Sequence, residues 1–487
     1  MNTIKESLLV CESPRNLQIE VTSMCNLKCK MCPLTTGNTL SSANPGHMTN
    51  VLWHNILPIA KRYGKVLLCG YGESLLNPNF LSLLQELNQA KIYMSMSTNG
   101  TLLTTSIASE LTAFEYLIHI NVSIDSPESD SYHHIRGGNV EKALNGLKNL
   151  LAVIKDPNRV TVSSILMAHN IKYLVRFPNF LAELGVRKFV LQGLVDYNAS
   201  CSEAQLLHNR ELFAYLDEIH QQCKETGIEI TMTMAERLEL ERYNPAKAVH
   251  RFHSTSMEPG ETKQCNVPWE IPFIDREGRV FPCCSASRDG AAVMGDLKHE
   301  SWDEIWNGLR FREFRKCLLT GTNIPTICQS CNGAPRGKHP FLLYALEIMF
   351  EQSRLSGKKS MKLVVKNIGQ YTWAQNDPIR IGTSGPRDRS SQLWHPTWIS
   401  VNRVAHFKEK QVPPGGLATF EFEVNTTAKV ESESFELVYD GKTWMHNTQF
   451  KVTTPRKMSN NPLFYATKFF GSFRSNLYEY VQTRNLR

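Results

Sequence analysis

The opening residues, MNTIKESLLV, lack the sustained apolar segment of an export signal, and no stretch of the chain approaches the ~18 uninterrupted apolar residues of a membrane-spanning helix. The chain therefore reads as cytoplasmic. It has no internal repeat and no low-complexity tract, and its composition is that of an ordinary globular protein. A basic stripe is missing too. The net charge of +8 gathers in a tail, where Arg456, Lys457, Lys468, Arg474, Arg484 and Arg487 meet one acid, Glu479. Elsewhere charge is near balance, so no nucleic-acid partner is expected.

Cysteine is what the chain has in excess. Thirteen cysteines without an export signal call for something other than disulfides, because the cytosol keeps thiols reduced. Metal or cluster ligation is the natural alternative. Eight fall into two groups at ligand-like spacings, while Cys11, Cys69, Cys201, Cys223 and Cys317 stand alone and read as buried small hydrophobes.

At 487 residues the chain exceeds one hydrophobic core, and it divides by pattern. Residues 1–239 alternate short apolar runs with helical periodicity, the signature of repeated βα units around a parallel sheet. Six strands are expected, at Leu17 to Thr22, Val66 to Cys69, Tyr93 to Ser97, His119 to Ile124, Val160 to Leu166 and Lys188 to Leu191. The fold class is α/β, a partial (β/α)6 TIM-like barrel. Over 240–340 periodicity fades and cysteines concentrate, as in a small domain organised by metal. A helical linker is expected over 341–359, an all-β sandwich over 360–455 and a basic amphipathic tail over 456–487. The tail could contact a protein partner or an anionic membrane, or dock on its own chain.

Cys25, Cys29 and Cys32 follow the first expected strand, so one loop delivers three thiolates to the C-terminal mouth of the barrel, where barrel enzymes keep their chemistry. Three thiolates suit a 4Fe-4S cluster with one open iron. Zinc is the alternative, but no nearby His or Cys completes four ligands. The CxxxCxxC motif in this place resembles the radical S-adenosylmethionine (SAM) superfamily. The resemblance implies that the open iron chelates SAM and that an electron, from a donor such as flavodoxin or ferredoxin, cleaves it to a 5'-deoxyadenosyl radical that abstracts hydrogen from substrate. Met31 stands where the family usually has an aromatic residue beside the adenine.

Further stretches are similar to the same family. Gly70-Tyr71-Gly72-Glu73 looks like its GGE motif with one residue interposed. Glycine permits close approach of a ligand, and Glu73 is an acceptor suited to the methionine ammonium. Asn99, Ser123 and Asp125, with Tyr132 and Arg136 further on, resemble the family's polar strand ends around the cofactor. Turn and cap roles compete for Asn, Ser and Asp.

Cys265, Cys283, Cys328 and Cys331 make a complete ligand set for a second 4Fe-4S cluster, with zinc again the alternative and Cys284 a possible replacement for Cys283. The segment resembles the SPASM/twitch auxiliary-cluster domains, with Asp275 to Val280 as their hairpin. No cysteine follows Cys331, which leaves ligands for one auxiliary cluster. In twitch-type dehydrogenases such a cluster accepts an electron from the substrate radical, which implies an oxidation here.

Residues 360–455 hold Trp373, Trp394, Trp398 and Trp444 in a context resembling the four-tryptophan Ig-like domain, with packing the expected role of those rings. Only about fifteen residues precede the first strand, too few for the leader-binding domain of peptide-modifying relatives. That favours a small-molecule substrate, such as a carbohydrate or secondary-metabolite precursor, over a peptide. A zinc-binding, non-enzymatic interaction protein is the competing class.

Overall fold

The computed structural model describes residues 6–194, 210–233, 242–244, 262–329, 331, 333–350, 360–425, 430, 432–453 and 465–467. Cys201 and the helical pattern of the basic tail lie outside these residues.

The chain divides into two compact units, Ser13–Gly337 and Met1–Glu12 with Lys338–Arg487. The first is built on a sheet of parallel strands: β1 (Leu17–Ile19), β2 (Lys65–Leu68), β3 (Tyr93–Thr98), β4 (Leu117–Ser123), β5 (Val160–Leu166), β6 (Lys188–Gly193) and β7 (Glu229–Met232). The intervening helices are α1 (Asn50–Tyr63), α2 (Phe80–Gln89), α3 (Thr105–Ala113), α4 (Ser129–Arg136), α5 (Val140–Val153), α6 (Ile171–Leu174), α7 (Phe177–Glu183) and α8 (Arg210–Thr226). Their ends follow local chemistry. Thr49 caps α1 by accepting the Leu52 N–H, and Gly64 ends that helix in the left-handed region at φ 71°.

Beyond β6 the sheet carries one more parallel strand than expected. Glu229–Met232 is a short segment with Ile230 and Met232 half-buried between them, too weak a pattern to read as a strand without its neighbour β6. On the other side β9 (Phe273–Ile274) pairs parallel to β1, and β10 (Arg279–Phe281) and β11 (Gly295–Asp296) continue antiparallel. The hairpin expected over Asp275 to Val280 thus extends the barrel sheet. The cysteine-rich segment expected over 240–340 shares one sheet and one compact unit with the barrel.

The helical linker expected over 341–359 is also corrected. A four-residue helix, Pro340–Leu343, is followed by a strand, Leu346–Phe350, paired antiparallel to Ser360–Asn367. Leu346 and Ile348 are buried while Glu347 and Met349 are exposed, the two-residue period of a strand. Residues 6–12, assigned above to the barrel, belong to this second unit. His446 Nε2 donates to the Val10 carbonyl at 2.8 Å, and Asn447 Nδ2 donates to Ser7 at 3.1 Å.

The second unit carries antiparallel sheets around a core that includes Val365, Trp373, Trp398, Phe407, Phe420 and Phe435. Two of the four tryptophans meet the packing expectation. Trp394 is 41% exposed, and Trp444 lies under the guanidinium groups of Arg387 and Arg403 at 4.8 and 5.3 Å. Of the solitary cysteines, Cys11 and Cys223 are buried, whereas Cys69 and Cys317 are only half-buried. No helix among the described residues is long and apolar enough to cross a membrane.

Candidate functional site

Both faces of β1 and its continuation are buried. Leu17, Ile19 and Val21 alternate with Gln18, Glu20 and Thr22, none more than 9% exposed. The cysteine loop leaves this strand and is fixed at both ends. An isolated bridge joins Thr22 to His47, and Lys28 and Lys30 donate their N–H groups to the carbonyls of Arg136 and Ile135, strapping the loop onto the end of α4. Cys25, Cys29 and Cys32 come together within electrostatic reach of one another. Burial pushes the Cys29 thiol up to about 12, so ligation there must release a proton. Met31 packs against Ile135, Met167 and Leu194.

Gly70 and Gly72 do serve close approach, but the partner is the protein itself. A Cβ on Gly70 would collide with the Glu20 side chain, and one on Gly72 with the carbonyl oxygen of Thr22. The loop after β2 is thereby pressed against the cysteine loop, with the Glu73 N–H donating to Met24 O at 2.8 Å. The Glu73 carboxylate is 3% exposed. It accepts Thr98 Oγ1 at 2.8 Å, Asn99 N–H at 2.7 Å and Leu75 N–H at 3.3 Å. Burial raises its pKa against these donors. Three donors leave a carboxylate acceptor capacity for one more, which fits an ammonium.

Asn99 donates to Asn26 Oδ1 at 2.9 Å and accepts from Thr101, so it braces the cysteine loop from β3. Asp125 is fully buried and committed to the protein. It takes Arg136 Nε at 2.7 Å on one oxygen and the Ile165 N–H at 2.7 Å on the other. Burial works against the Arg136 charge, and Asp125 and Cys29 more than offset it, so its pKa stands above the ordinary value. Ser123 is half-buried, 3.4 Å from Ser163 Oγ. The six expected cofactor contacts thus separate. Glu73 has capacity toward a ligand, while Gly70, Gly72, Asn99 and Asp125 chiefly hold the loops.

Among the described residues the buried Tyr132 hydroxyl has no hydrogen-bond partner, and it lies within electrostatic reach of Arg136, Asp125, Cys29 and Glu73. A buried hydroxyl with capacity to spare, beside the Cys29 thiol and the Glu73 carboxylate, fits a bound polar cofactor.

The second group forms around β8 (Thr262–Lys263), the β9–β10 hairpin and β12 (Arg336–Gly337), which pairs with β8. Cys283 is within electrostatic reach of Cys265, Cys328 and Cys331. Of those three, Cys284 feels Cys331, and its side chain bonds with Ser285 and Gln18. The grouping therefore favours Cys283 as the fourth thiol. Burial pushes Cys265 up to about 12 and Cys283 and Cys328 upward as well. A buried cation, Lys263, stands within electrostatic reach of Cys331, Cys328 and Cys265, with the buried Arg336 next to it, and suits an anionic thiolate-bound group. Among the described residues no three His, Cys, Asp or Glu side chains are grouped to hold a single metal ion.

Sequence reasoning missed Glu20. It is 1% exposed, accepts Tyr71 N–H at 2.9 Å and Ser41 Oγ at 3.1 Å, and links the two cysteine regions, because Tyr71 Oη donates to Cys284 O at 3.0 Å. The available signal was the alternation of Gln18, Glu20 and Thr22 in a strand whose neighbours are all apolar.

Residues 19–180 match the Radical SAM superfamily, and residues 265–332 match SPASM, an iron-sulfur cluster-binding domain. The chain thus carries a radical SAM domain and a SPASM domain, and its cofactors are two 4Fe-4S clusters and SAM. Among curated proteins it is similar to an AdoMet-dependent heme synthase of Methanosarcina barkeri, 24% identical over 63% of this chain and 86% of that protein. It is also similar to a tungsten-containing aldehyde ferredoxin oxidoreductase cofactor-modifying protein of Pyrococcus furiosus, 26% identical over 65% and 86%. In fold it resembles SuiB of Streptococcus suis, solved with its precursor peptide SuiA, at a TM-score of 0.50 and 16% identity over 67% of this chain and 72% of that one.

Proposed function

We propose that this radical SAM enzyme is an oxidoreductase in which Cys25, Cys29 and Cys32 hold the catalytic cluster and Cys265, Cys283, Cys328 and Cys331 hold the auxiliary one. The bound cofactors supply a 5'-deoxyadenosyl radical for hydrogen abstraction and a second site for electron transfer. The protein's part is positioning. Glu73 receives the methionine ammonium on its remaining acceptor site, and Tyr132 offers its unpaired hydroxyl to the same ligand. Arg136 and Asp125 keep α4 and β5 fixed behind the cysteine loop. The observation that carries the reading is that one continuous sheet delivers the first cysteine group from β1 and Cys283 of the second from the β9–β10 hairpin beside it.

The proposed substrate is a small molecule, a reading supported by the names of the heme synthase and the cofactor-modifying protein. A peptide is the second reading, favoured by SuiB with its precursor peptide. A cytoplasmic setting and an external electron donor such as flavodoxin or ferredoxin complete the proposal.

The test is anaerobic purification and reduction with SAM. The expected result is about eight irons per chain and release of 5'-deoxyadenosine. Deuterium transfer into 5'-deoxyadenosine from labelled small molecules or from labelled peptides then identifies the substrate class. An iron-loaded chain that never cleaves SAM with any substrate or donor would defeat the proposal.

A further inference from the structure

The second cysteine group is built around buried positive charge. Lys263 and Arg336 are register partners across the β8–β12 ladder, and they are 1% and 2% exposed. Lys263 Nζ donates to the Cys331 carbonyl at 2.8 Å. Cys331, Cys328 and Cys265 lie within electrostatic reach of Lys263, and Arg336 stands beside it. Two like charges side by side in a low-dielectric interior are costly unless negative charge is held against them. The thiolates and whatever they bind supply negative charge at this place. Cluster potentials are set by local charge, burial and hydrogen bonds.

We infer that Lys263, seconded by Arg336, raises the reduction potential of the auxiliary site and so makes it the electron acceptor of the reaction. This deepens the proposed function and rests on Cys265, Cys283, Cys328 and Cys331 being the ligands. Taking up one electron adds one negative charge to the site, with the substrate radical as the donor. Lys263 and Arg336 stabilise that added charge, so the reduced state is favoured relative to the same site without them. Both residues act through the ligand loop and touch no substrate. Theirs is a positioning and electrostatic role.

The test is an EPR-monitored redox titration of the full chain, reconstituted anaerobically, with Cys25, Cys29 and Cys32 replaced by Ala so that only the second site gives a signal. Lys263→Met is expected to shift the midpoint potential to more negative values, and Arg336→Gln to shift it the same way. Lys263→Arg, which keeps the charge, should stay near the parent. An unchanged or more positive potential in Lys263→Met overturns the inference. If Lys263→Met takes up no iron at this site while Lys263→Arg loads normally, the need for a cation is upheld. Equal loss of iron in both reduces Lys263 to packing and overturns it. Absence of iron from the second site of the wild-type chain would instead sink the proposed function itself.

Discussion

The two cysteine sites present the same kind of donor but opposite surroundings. Within electrostatic reach of Cys25, Cys29 and Cys32 stand the carboxyl groups of Glu20, Glu73 and Asp125 and one cation, Arg136. Within electrostatic reach of the second group stands Lys263, with Arg336 beside it, both buried, and Glu270 faces Cys265. Thiolates alone do not decide what a cluster does, since its neighbours tune it. An acid-rich site suits a ligand that brings a sulfonium and an ammonium. A cation-rich site suits the arrival of an electron. On the proposed reading, the contrast gives the reaction its direction.

The harshest way to break the comparison is to remove thiolates one site at a time. Cys29→Ala should abolish 5'-deoxyadenosine formation and lower iron from about eight to about four per chain, read by iron assay and chromatography. Cys283→Ala should also cost about four irons yet leave SAM cleavage measurable, with substrate oxidation lost. Cys284→Ala should retain both clusters, because its side chain is engaged by Ser285 and Gln18.

Next in size is the ion pair behind the first site. Arg136→Met leaves the fully buried Asp125 without its partner, and should destabilise the chain by about 3–5 kcal/mol in urea unfolding. Smaller again is Glu73→Gln. It keeps the shape but replaces one acceptor oxygen by a donor facing the Thr98 hydroxyl or the Asn99 N–H. SAM binding, measured by equilibrium titration, should weaken about 10- to 100-fold with cluster content unchanged.

How much of this was legible depended on whether a feature is local. The cysteine spacings, the βα alternation and the Gly70–Glu73 loop lie in single short segments, and β5 was bounded correctly at Val160–Leu166, where Val160, Val162, Ile165 and Leu166 are interleaved with Thr and Ser. Features made by tertiary contact were not legible. Gly70 reads as room for a ligand until Glu20, fifty residues away in sequence, is seen to occupy that room. Asp125 reads as a ligand contact until Arg136 closes on it. Lys263 and Arg336 are 73 residues apart and meet only through the β8–β12 register. The strand Leu346–Phe350 read as helix because five residues hold too few periods to decide without the partner strand.

Glu20 offers the finest test of the acid-rich side. Burial is the largest influence on its carboxyl and pushes the pKa up to about 7. The Tyr71 N–H, the Ser41 hydroxyl and the Arg276 N–H pull it down, and the neighbouring Asp275 carboxylate pushes it up; it in turn raises the Cys32 and Cys69 thiols. In the unfolded chain the same group titrates near 4.5. Below that pH both states carry the proton and Glu20 costs nothing. As pH rises from about 4.5 to 7 the unfolded chain releases its proton while the folded one retains it, so stability held at low pH is lost, and above about 7 the loss is complete. Glu20→Gln cannot ionise and escapes this loss, though Glu73 and Asp275 still titrate in both proteins. The Tm of the variant relative to wild type should therefore climb by a few degrees between pH 4.5 and 7 and then level off. A Tm difference that is flat across this window would mean that Glu20 is ionised throughout it in the folded protein, and that its three donors outweigh its burial.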